Sequence, residues 1–517
     1  MSNSKSIHIV VSPFESQDDI SLRNEISKKL DISNSDIKSY KISKKSIDAR
    51  NSKVKFNLWI DVILVGNDEI DEEPFTPNLK DVKNNEPVFI IGSGPAGLFF
   101  ALTIIEKGYK PIIIEQGKSV EDRKKDISIL NKSGELNTTS NWCFGEGGAG
   151  TYTDGKLYTR SNKRGDINKV LNYLVYHGAN NEILYESHPH IGTDKLPNII
   201  SNIRKTITDC GGEFCFEKKL TNIIIENDSI KSIVLNENET ISTSKLVLAT
   251  GNSARDIYEL LNSKNIEMSF KPFALGVRVE HPQELINESQ YGKDKNNEYL
   301  PPATYKLVTQ VKNKGVFSFC MCPGGIIVPS STNKNELVVN GMSNSRRNSK
   351  YANSGIVVEI GLDNIKDFSQ YNELAGLYFQ KNIEEECYKF GGGNYVAPAQ
   401  RIADFIRNKP STTLPKSSYN PGLSSFNLND IFKADLSFYL KNALIEFNNK
   451  IKGFTSSEAV MVAVESRTSS PIQILRNKET FEHVKIKGLY PIGEGSGYAG
   501  GITSSAIDGI NCAEIFS

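Results

Sequence analysis

The first eighty residues alternate short apolar runs with polar segments in an order typical of a small α+β module. Ile7–Val11 is an apolar, strand-like run, and Asp19–Leu30 shows helical spacing of its apolar residues after a polar entry. Further strand-like runs follow at Ile37–Ile42 and Val54–Val65. The resulting β-α-β-β order predicts a module with ferredoxin-like character over residues 1–80.

An acidic, polar and proline-containing stretch from Gly66 to Pro87 separates this module from the rest of the chain and is typical of a linker. A buried strand-like run, Val88–Ile91, comes next and is followed by a helical segment, Leu98–Lys107. Pro111–Ile114 is a second buried run. This strand–helix–strand order predicts a βαβ unit with parallel strands.

The rest of the chain mixes strands and helices. Strand-like runs dominate between Glu213 and Thr250, and the chain closes with a strand at Gly488–Ile492 and a helix at Thr503–Phe516. A chain of 517 residues is too long for one hydrophobic core. We therefore predict an α/β fold with an N-terminal α+β module (1–80), a central domain in two parts (81–269 and 472–517), and an inserted α+β domain (270–471).

Composition and charge narrow the classes of protein. The formal net charge is zero, so long-range attraction to nucleic acid or to an anionic membrane gains no general support. Seven cysteines, odd in number and without a CxxC pair, argue against a disulfide framework or a metal site and favour a reduced, cytoplasmic setting. The longest apolar run, Val88–Ile105, is interrupted by glycine and proline, and the N-terminus lacks a signal-peptide pattern, so no membrane partner is expected.

A glycine-rich turn joins the first strand of the βαβ unit to its helix. Gly92 permits the tight turn, Gly94 lets the backbone approach a pyrophosphate, and Gly97 lets the helix pack closely on the sheet. The whole turn, which we predict to contact a cofactor, consists of Gly92, Ser93, Gly94, Pro95, Ala96 and Gly97.

Three further features complete a dinucleotide-binding fingerprint. Pro95 suits the first helical turn, where its missing N–H costs nothing. The helix N-terminus offers free N–H groups and the positive end of a dipole to phosphates. Glu115 ends the second strand about 20 residues after the first glycine, where its carboxylate can accept hydrogen bonds from an adenosine ribose. The motif predicts a dinucleotide but does not decide between FAD and NAD.

Two later glycine loops favour FAD. Lys245–Gly251 is a buried strand ending in Ala-Thr-Gly, and Leu489–Gly495 is a strand that leads through a glycine loop into the final helix. FAD is long, so its flavin end needs contacts from chain far from the adenosine site. A second helix N-terminus there would stabilise the negative charge of reduced flavin by roughly 0.3–2 kcal/mol. No second complete fingerprint occurs between Phe270 and Pro471, so a separate NAD(P)H domain is not expected.

A further glycine loop, Gly145 to Gly150, lacks the strand and the acid of a fingerprint, and we interpret it as another flavin contact. FAD is thus the predicted cofactor, the two-part domain (81–269 and 472–517) is the predicted FAD-binding, nucleotide-binding unit, and the inserted domain (270–471) is the predicted substrate or cap domain. Beyond the first turn, the predicted contacts with FAD are Glu115, Gln116, Gly148, Gly150, Thr151, Gly251, Gly493, Glu494, Gly500, Gly501 and Ile502.

The chain resembles a family of bacterial FAD-dependent oxidoreductases often labelled NAD(FAD)-utilising dehydrogenases, which also has plastid relatives. The resemblance implies a Rossmann-like, two-dinucleotide-binding-domain flavoprotein fold with non-covalent FAD. It implies no particular substrate, and NAD(P)H stays open as a transient electron donor. The matching segments span nearly the whole chain: KKSIDAR, GSGPAGLF, FGEGGAGTYTDGKLYT, HPHIGTDKL, KPFALGVRVEHPQ, CMCPGGIIVPS, NGMSNSRR, VESRTSSP and LYPIGEGSGYAGGITSSAIDG.

Two short segments carry candidates for chemistry at the flavin. Asp154 and Lys156 follow the glycine loop, and the lysine could stabilise reduced flavin or help to activate oxygen, although a surface turn explains the segment equally well. His188 and His190 are two of only six histidines. A general acid or base role for His190 is one interpretation, and bracing of a loop is the other.

Cysteine and arginine residues of the predicted inserted domain supply further candidates. Cys320 and Cys322 form a CxC pair, for which a redox role and a place as small buried side chains at a strand edge are both open. Arg278, Arg401 and Arg467 could bind a carboxylate or phosphate substrate, with Arg467 as the first to test.

The sequence therefore predicts an FAD-dependent oxidoreductase that exchanges a hydride between a small-molecule substrate and flavin N5. A second hypothesis is flavin-dependent RNA modification, because the stretch from Ser21 to Asn57 holds about ten Lys and Arg against about four Asp and Glu. A solvated face is the favoured explanation of that charge, and nucleic acid is not the expected partner. A third hypothesis is a non-enzymatic interaction or sensor protein stabilised by FAD. The oligomeric state stays open.

Overall fold

The protein is described here from a computed structural model that covers residues 4–50, 53–66, 74–158 and 165–516. Residues 67–73 of the predicted linker, and Thr159 at the end of the TDGKLYT segment, lie outside the described residues. The structure is mixed α/β, with parallel and antiparallel sheets.

The N-terminal module has the predicted β-α-β-β order. Its elements are β1 (Ser4–Val11), α1 (Asp19–Leu30), β2 (Ile37–Asp48) and β3 (Lys55–Leu64). The three strands pair antiparallel in the order β1-β3-β2. Alternate residues of β3 pack against α1 because side chains of a strand point to opposite faces in turn, so the module has its own small core.

The module is docked on the following part of the chain through its backbone. The amide of Lys45 in β2 donates to the carbonyl of Tyr185 over 2.8 Å, and the amide of Ser187 donates back to the carbonyl of Lys45 over 2.9 Å. Phe14 also packs edge-on against Tyr299. These contacts attach the module to the body of the molecule.

The next segment builds most of the predicted nucleotide-binding unit. One strand of this segment, Glu239–Ser242, is polar and has no apolar run, so the sequence pattern does not predict it. The elements are β4 (Pro87–Ile91), α2 (Pro95–Lys107), β5 (Lys110–Ile114), α3 (Val120–Ser133), α4 (Ile167–Tyr176), α5 (Leu196–Asp209), β6 (Glu213–Cys215), β7 (Leu220–Glu226), β8 (Ser229–Leu235), β9 (Glu239–Ser242), β10 (Leu246–Leu248) and α6 (Arg255–Ser263).

The third segment is richer in long strands, and the chain then returns to finish the first sheet. The elements are β11 (Met268–Phe270), β12 (Phe273–Pro282), α7 (Gln283–Tyr291), β13 (Val308–Val311), β14 (Lys314–Cys322), β15 (Gly325–Pro329), β16 (Val339–Ser343), β17 (Tyr351–Ile360), α8 (Ala375–Gly391), β18 (Ala397–Arg401), α9 (Ile402–Ile406), β19 (Leu423–Ser425), α10 (Leu428–Lys450), β20 (Val460–Glu465), β21 (Ile472–Ile474), β22 (Leu489–Pro491) and α11 (Ile502–Ile515).

A five-stranded parallel sheet forms the centre of the nucleotide-binding unit, in the order β22-β10-β4-β5-β6. Val88 and Ile90 of β4 face one core with helices α2 and α11, whereas Phe89 and Ile91 face another core with β7 and β8. Because both faces are covered, the strand is a continuous apolar run. The predicted βαβ unit is confirmed, although α2 begins at Pro95 rather than at Leu98.

A seven-stranded sheet forms the second large layer, in the order β13-β14-β17-β12-β20-β18-β19. The hydrophobic core beside this sheet includes residues of α10 and residues in or next to each of the seven strands. The ends of β14 and β20 reach the same cavity as the parallel sheet. Within the described part of the chain, no helix is both long and apolar enough to cross a bilayer.

Candidate functional site

A cavity opens at the carboxyl ends of β4, β5 and β10, the edge at which parallel α/β sheets bind ligands. Ile91, Ile114 and Ala249 line it at these strand ends, and Phe319 and Glu465 line it from the seven-stranded sheet. Its empty space, including the open mouth, is about 1920 Å³. The cavity is therefore lined by residues of both large sheets.

The glycine turn before α2 forms one wall. Gly92 has a φ of 104°, and a Cβ atom there would lie 2.5 Å from the carbonyl oxygen of Ala249. A Cβ at Gly97 would collide with the carbonyl oxygen of Gly92. No described side chain caps the helix start at Gly94, so its first amides stay open to a ligand. The predicted residues Gly92, Gly94, Pro95 and Ala96 line the cavity, whereas Ser93 and Gly97 support the turn from behind.

Glu115 is in the cavity wall, but the protein already uses its carboxylate. One oxygen accepts from the amide (3.0 Å) and hydroxyl (2.7 Å) of Ser93. The other accepts from the amides of Gly117 (2.9 Å) and Gly145 (3.1 Å). Glu115 thus ties three loops together, and a ribose contact remains a prediction. Gln116 lines the cavity beside it.

The loop from Gly145 to Gly150 forms the adjoining wall and ends in a 3-10 turn, Gly148–Tyr152. Gly148 and Gly150 line the cavity. The hydroxyl of Thr151 donates to the carbonyl of Glu146 over 3.0 Å, and this side chain is buried outside the lining. The predicted contact of Thr151 with the cofactor therefore has no support from its side chain.

Arg123 of α3 organises this loop and was missed in the sequence. It is fully buried, and its guanidinium donates to the carbonyls of Asn141 (2.7 Å), Trp142 (2.9 Å) and Gly148 (2.9 Å). Burial lowers the pKa of Arg123. The sequence feature that could have indicated this role is that Arg123 lies three residues after Val120, on the apolar face of a helix.

The start of α11 forms another part of the cavity wall, close to the start of α2, because a Cβ at Gly150 would contact both Ile502 and Pro95. Cβ atoms at Gly251, Gly500 and Gly501 would meet no described atom within 4 Å, so these glycines leave the wall open. Ile502 also lines the cavity. No described side chain caps α11 at Gly501. Gly493 lies behind the wall, because a Cβ there would be 2.8 Å from that of Ala96.

Glu494 adds a titratable group to this part of the cavity wall. Its carboxylate accepts from the side-chain amide of Asn252 over 3.0 Å. Burial raises the pKa of Glu494 to about 7, and the ammonium of Lys271 only partly opposes this. Glu465, also in the lining, has its pKa raised to about 7 by burial despite its 2.7 Å ion pair with Arg278. Both carboxyl groups therefore titrate near neutrality.

Lys156 lines the cavity, and its ammonium lies among polar groups. Its Nζ donates to the carbonyl of Met321 and lies 3.5 Å from a carboxylate oxygen of Asp154. It also lies 3.9 Å from each sulfur of Cys320 and Cys322. Burial acts to lower the pKa of Lys156, but these sulfurs and the Asp154 carboxylate outweigh it and raise that pKa. The lysine is therefore a fixed positive charge at the cavity.

His190 does not reach the cavity lining. Its Nε2 lies 3.3 Å from the carbonyl of Ser345, and its backbone forms an isolated bridge with Lys156. Burial and Arg347 lower the pKa of His190. The structure therefore favours bracing of the loop over an acid or base role. His188 packs against the ring of Tyr158, with ring centres 4.8 Å apart.

The arginine candidates are engaged with the protein. Arg467 lines the cavity, but its guanidinium donates to Glu384 (2.8 Å), Glu336 (3.3 Å) and Thr332 (2.6 Å). The structure gives no support to Arg278 and Arg401 as substrate clamps. Arg278 is fully buried against Glu465, and Arg401 donates to the carbonyls of Thr413 and Ser457 outside the cavity. Their partners are distant in sequence and could not be read from it.

These walls fit FAD. Two helix starts without a described side-chain cap border one cavity, as required for a ligand with phosphates at one place and an electron-rich ring edge at another. The missing side chains of Gly251, Gly500 and Gly501 leave the room such a ligand needs.

Comparison with known proteins identifies the family. Residues 272–468 match the sequence model of a family described as FAD-dependent protein, C-terminal domain-like, and residues 3–63 match a domain of unknown function. A protein of Clostridium beijerinckii, described as uncharacterized, is 42% identical over 513 residues, which cover 95% of both chains.

Solved structures share a weaker likeness. Because the TM-scores are near 0.3, this structural similarity supports no conclusion about the chain. The structures include CtdE in complex with FAD (11% identity, 83% of this chain and 82% of that chain, TM-score 0.31), glycine oxidase from Bacillus cereus (13%, 83% and 94%, 0.31) and the open conformation of a flavocytochrome c3 fumarate reductase (12%, 83% and 77%, 0.32). Because residues 272–468 match this family model and the Clostridium beijerinckii relative matches 95% of the chain, the chain belongs to a family of FAD-dependent proteins, and FAD is its cofactor.

Proposed function

We propose that this protein is an FAD-dependent oxidoreductase whose substrate is a small molecule that enters the cavity beside Lys156. The carrying observation is that two open helix starts and a fixed ammonium group line one cavity. Bound FAD would supply two-electron chemistry at its flavin ring. The start of α2 would hold the pyrophosphate, and the start of α11 would hold the flavin end.

The protein's own groups at the flavin end suit such chemistry. The positive end of the α11 dipole at Gly501 and the ammonium of Lys156 both favour negative charge in the cavity. Lys156 stays protonated because its pKa is raised, so it also attracts an anionic substrate. Glu494, with a pKa of about 7, can hold or release a proton at neutral pH. We propose Glu494 as the proton carrier in place of His190.

The proposal extends to the arrangement of the chain. The parallel sheet and the inserted seven-stranded sheet share the cavity, which supports a two-dinucleotide-binding-domain type of flavoprotein with residues 270–471 as the substrate or cap domain. NADH or NADPH is proposed as a transient donor that binds without a fingerprint of its own.

The test is anaerobic reduction of the purified holoprotein. NADH, NADPH and a panel of small metabolites are mixed with it in turn, and the flavin absorption band is followed. We expect at least one donor to bleach the band. Lys156→Met should slow that reduction by about 10²-fold, the order seen when one preorganised charge-stabilising group is removed. Lys485→Met is the matched control, because Lys485 is exposed and pairs with Glu267 outside the cavity.

A band that no donor bleaches, although dithionite does, would contradict the enzymatic proposal and favour the sensor hypothesis. Equal rates for Lys156→Met and the wild-type protein would contradict the role of Lys156. Slower reduction at low pH in the wild-type protein, where Glu494 is protonated, and no such pH dependence in Glu494→Gln would support Glu494 as the acceptor of the proton that the substrate loses as it gives up a hydride.

A further inference from the structure

Two cysteines stand at an irregularity in β14 where the strand meets the cavity. Phe319 pairs with Gly355 and Cys322 with Asn353, so Cys320 and Met321 together face only Ser354. The φ angle of Cys320 is 43°, a left-handed conformation that non-glycine residues rarely adopt. Such bulges re-aim side chains and are frequent beside active sites. Here the bulge puts Cys320 in the cavity lining, whereas Cys322 is fully buried behind it.

The surroundings of the pair favour a thiolate at Cys320. The ammonium of Lys156 lies 3.9 Å from both sulfurs, and Arg278 donates twice to the carbonyl of Cys320 at 3.2 Å. The Cys322 thiol lies where its proton can reach the sulfur of Cys320 or its carbonyl oxygen, 3.3 Å away.

The two thiols are consequently unequal. The hydrogen bond from Cys322, helped by Lys156 and Arg278, holds the pKa of Cys320 well below its usual range despite burial. The same bond and burial hold the pKa of Cys322 well above it. A thiolate that lines the cavity beside a protonated, fully buried thiol is the arrangement of an attacking and a resolving cysteine.

A disulfide between the two is sterically accessible. Residues two apart in an extended strand have Cα atoms about 6.6 Å apart. Disulfides usually join Cα atoms about 4.4–6.8 Å apart, and a bulge shortens the separation along the strand. All seven cysteines of the chain are free in the structure, and Cys320 and Cys322 are the two whose sulfurs share one ammonium.

We propose that Cys320 and Cys322 form a redox-active dithiol–disulfide couple that exchanges two electrons with the bound FAD. In the oxidative direction, the Cys320 thiolate and the Cys322 thiol lose two electrons and one proton as the S–S bond forms. FAD accepts both electrons and the proton and becomes its singly protonated, reduced anion. The positive charges of Lys156 and the α11 start offset the negative charge that moves between the two sites. The proposal rests on the proposed function and gives the cavity a second two-electron store.

Reductive titration tests the couple directly. The air-oxidised holoprotein is made anaerobic and titrated with dithionite, with the flavin band as the indicator. Since each couple takes two electrons, the wild-type protein should take up about four electrons per chain, and Cys320→Ser and Cys322→Ser about two. Cys215→Ser is the matched control and should take up about four, because Cys215 lies in β6 outside the cavity lining.

A chemical readout needs no titration and covers the case in which a serine variant does not fold. After exposure of the wild-type protein to FAD and air, the peptide that contains Cys320 and Cys322 should be lighter by two hydrogen atoms and should resist alkylation. In the reduced protein, alkylation of Cys320 should reach half its maximal rate at a lower pH than alkylation of Cys215. Lys156→Met should move that half-point upward.

The outcomes separate the two proposals. Uptake of two electrons by the wild-type protein, with both thiols still alkylated after oxidation, would overturn the couple and leave the oxidoreductase proposal standing. Flavin that dithionite cannot reduce in any variant would overturn both. Four electrons in the wild-type protein and two in both serine variants would establish the couple, whatever the metabolite panel shows.

Discussion

The glycines of the cavity are of two physical kinds. At Gly92 and Gly97 a side chain would collide with backbone carbonyl groups, so these residues are required by the protein's own packing. At Gly251, Gly500 and Gly501 a Cβ would meet no described atom within 4 Å, so the folded protein does not require glycine for space. Gly251 has a φ of 74°, a left-handed conformation that itself favours glycine, whereas a ligand that occupies the space explains glycine at Gly500 and Gly501.

Gly500→Val tests this distinction. Because the position has free space and no left-handed φ, the variant should keep its thermal unfolding temperature without FAD. Its FAD affinity should fall by about tenfold or more, which corresponds to about 1.4 kcal/mol. Fluorescence titration with FAD measures the affinity. Gly315→Val, on β14 where a Cβ would meet only the Gln310 side chain at 3.7 Å, is the control and should bind FAD normally. A matched loss of affinity in both variants would contradict the explanation.

Glu115→Gln tests the role of the carboxylate as a brace. The glutamine must present an NH₂ group to amides that now donate to Glu115, so two donors would face each other. We expect a loss of about 1–3 kcal/mol in the free energy of unfolding and weaker FAD binding, since the loops of Ser93 and Gly145 are released. Urea unfolding measures it. Glu213→Gln, at an exposed ion pair, should change little. A stable variant with weakened FAD binding alone would indicate a direct ribose contact instead.

Separate elements are joined by a buried cluster of charges behind the cavity. Arg255 of α6 pairs with Glu384 of α8 over 2.7 Å, and Arg467, which follows β20, pairs with the same carboxylate over 2.8 Å. Glu336 lies within 3.3 Å of both guanidinium groups. Although burial opposes it, the two arginines lower the pKa of Glu384 to about 2. The cluster fixes the side chain of Arg467 in the cavity wall.

Glu384→Gln should therefore destabilise the protein in a pH-dependent way. A carboxyl with an ordinary pKa of 4.5 and a folded pKa of about 2 contributes stability above pH 4.5 that is lost as the pH falls toward 2. The shift corresponds to roughly 3 kcal/mol, and removal of one partner of a buried pair has a similar effect of about 3–5 kcal/mol. Urea unfolding of both proteins from pH 7 to pH 3 measures the difference. It should shrink with falling pH, whereas Glu385→Gln on the exposed face should show none. A constant difference would contradict the assigned ionisation.

The whole molecule places its cavity between two sheets that belong to different stretches of the chain. The parallel sheet contributes the starts of α2 and α11, and the seven-stranded sheet contributes Phe319 and Glu465. A ligand that spans the cavity contacts both layers. FAD should therefore stabilise the two layers together rather than the fingerprint alone.

Hydrogen exchange with and without FAD tests this coupling. FAD at about 100 times its dissociation constant should raise the free energy of unfolding by about 2.7 kcal/mol. Protection should appear in the β4–α2 segment and also in β14 and β16. Adenosine monophosphate, which lacks the flavin, should protect mainly the β4–α2 segment. Protection by FAD restricted to that segment would show that the second layer takes no part in binding.

Local backbone chemistry explains what could be predicted from residues alone. Glycine and proline requirements around Gly92–Gly97, and apolar runs such as Val88–Ile91, depend on neighbours along the chain, so the βαβ unit and its helix start were predictable. Polar β9 was not, because its pairing with β8 depends on the rest of the sheet. Likewise, the open space at Gly500 and Gly501 shows only in the folded chain, because it is the absence of neighbours from elsewhere.

Contacts between side chains that are far apart in the sequence could be decided only by the tertiary structure. Lys156 meets Cys320 and Cys322 only because the loop after the glycine turn packs on the end of β14. Arg467 is paired, and His190 stays outside the lining, for the same reason: their neighbours come from other elements. Residue types and spacing carry the chemistry that each group can perform, but distance, burial and charge between remote groups follow from the packing of the sheets.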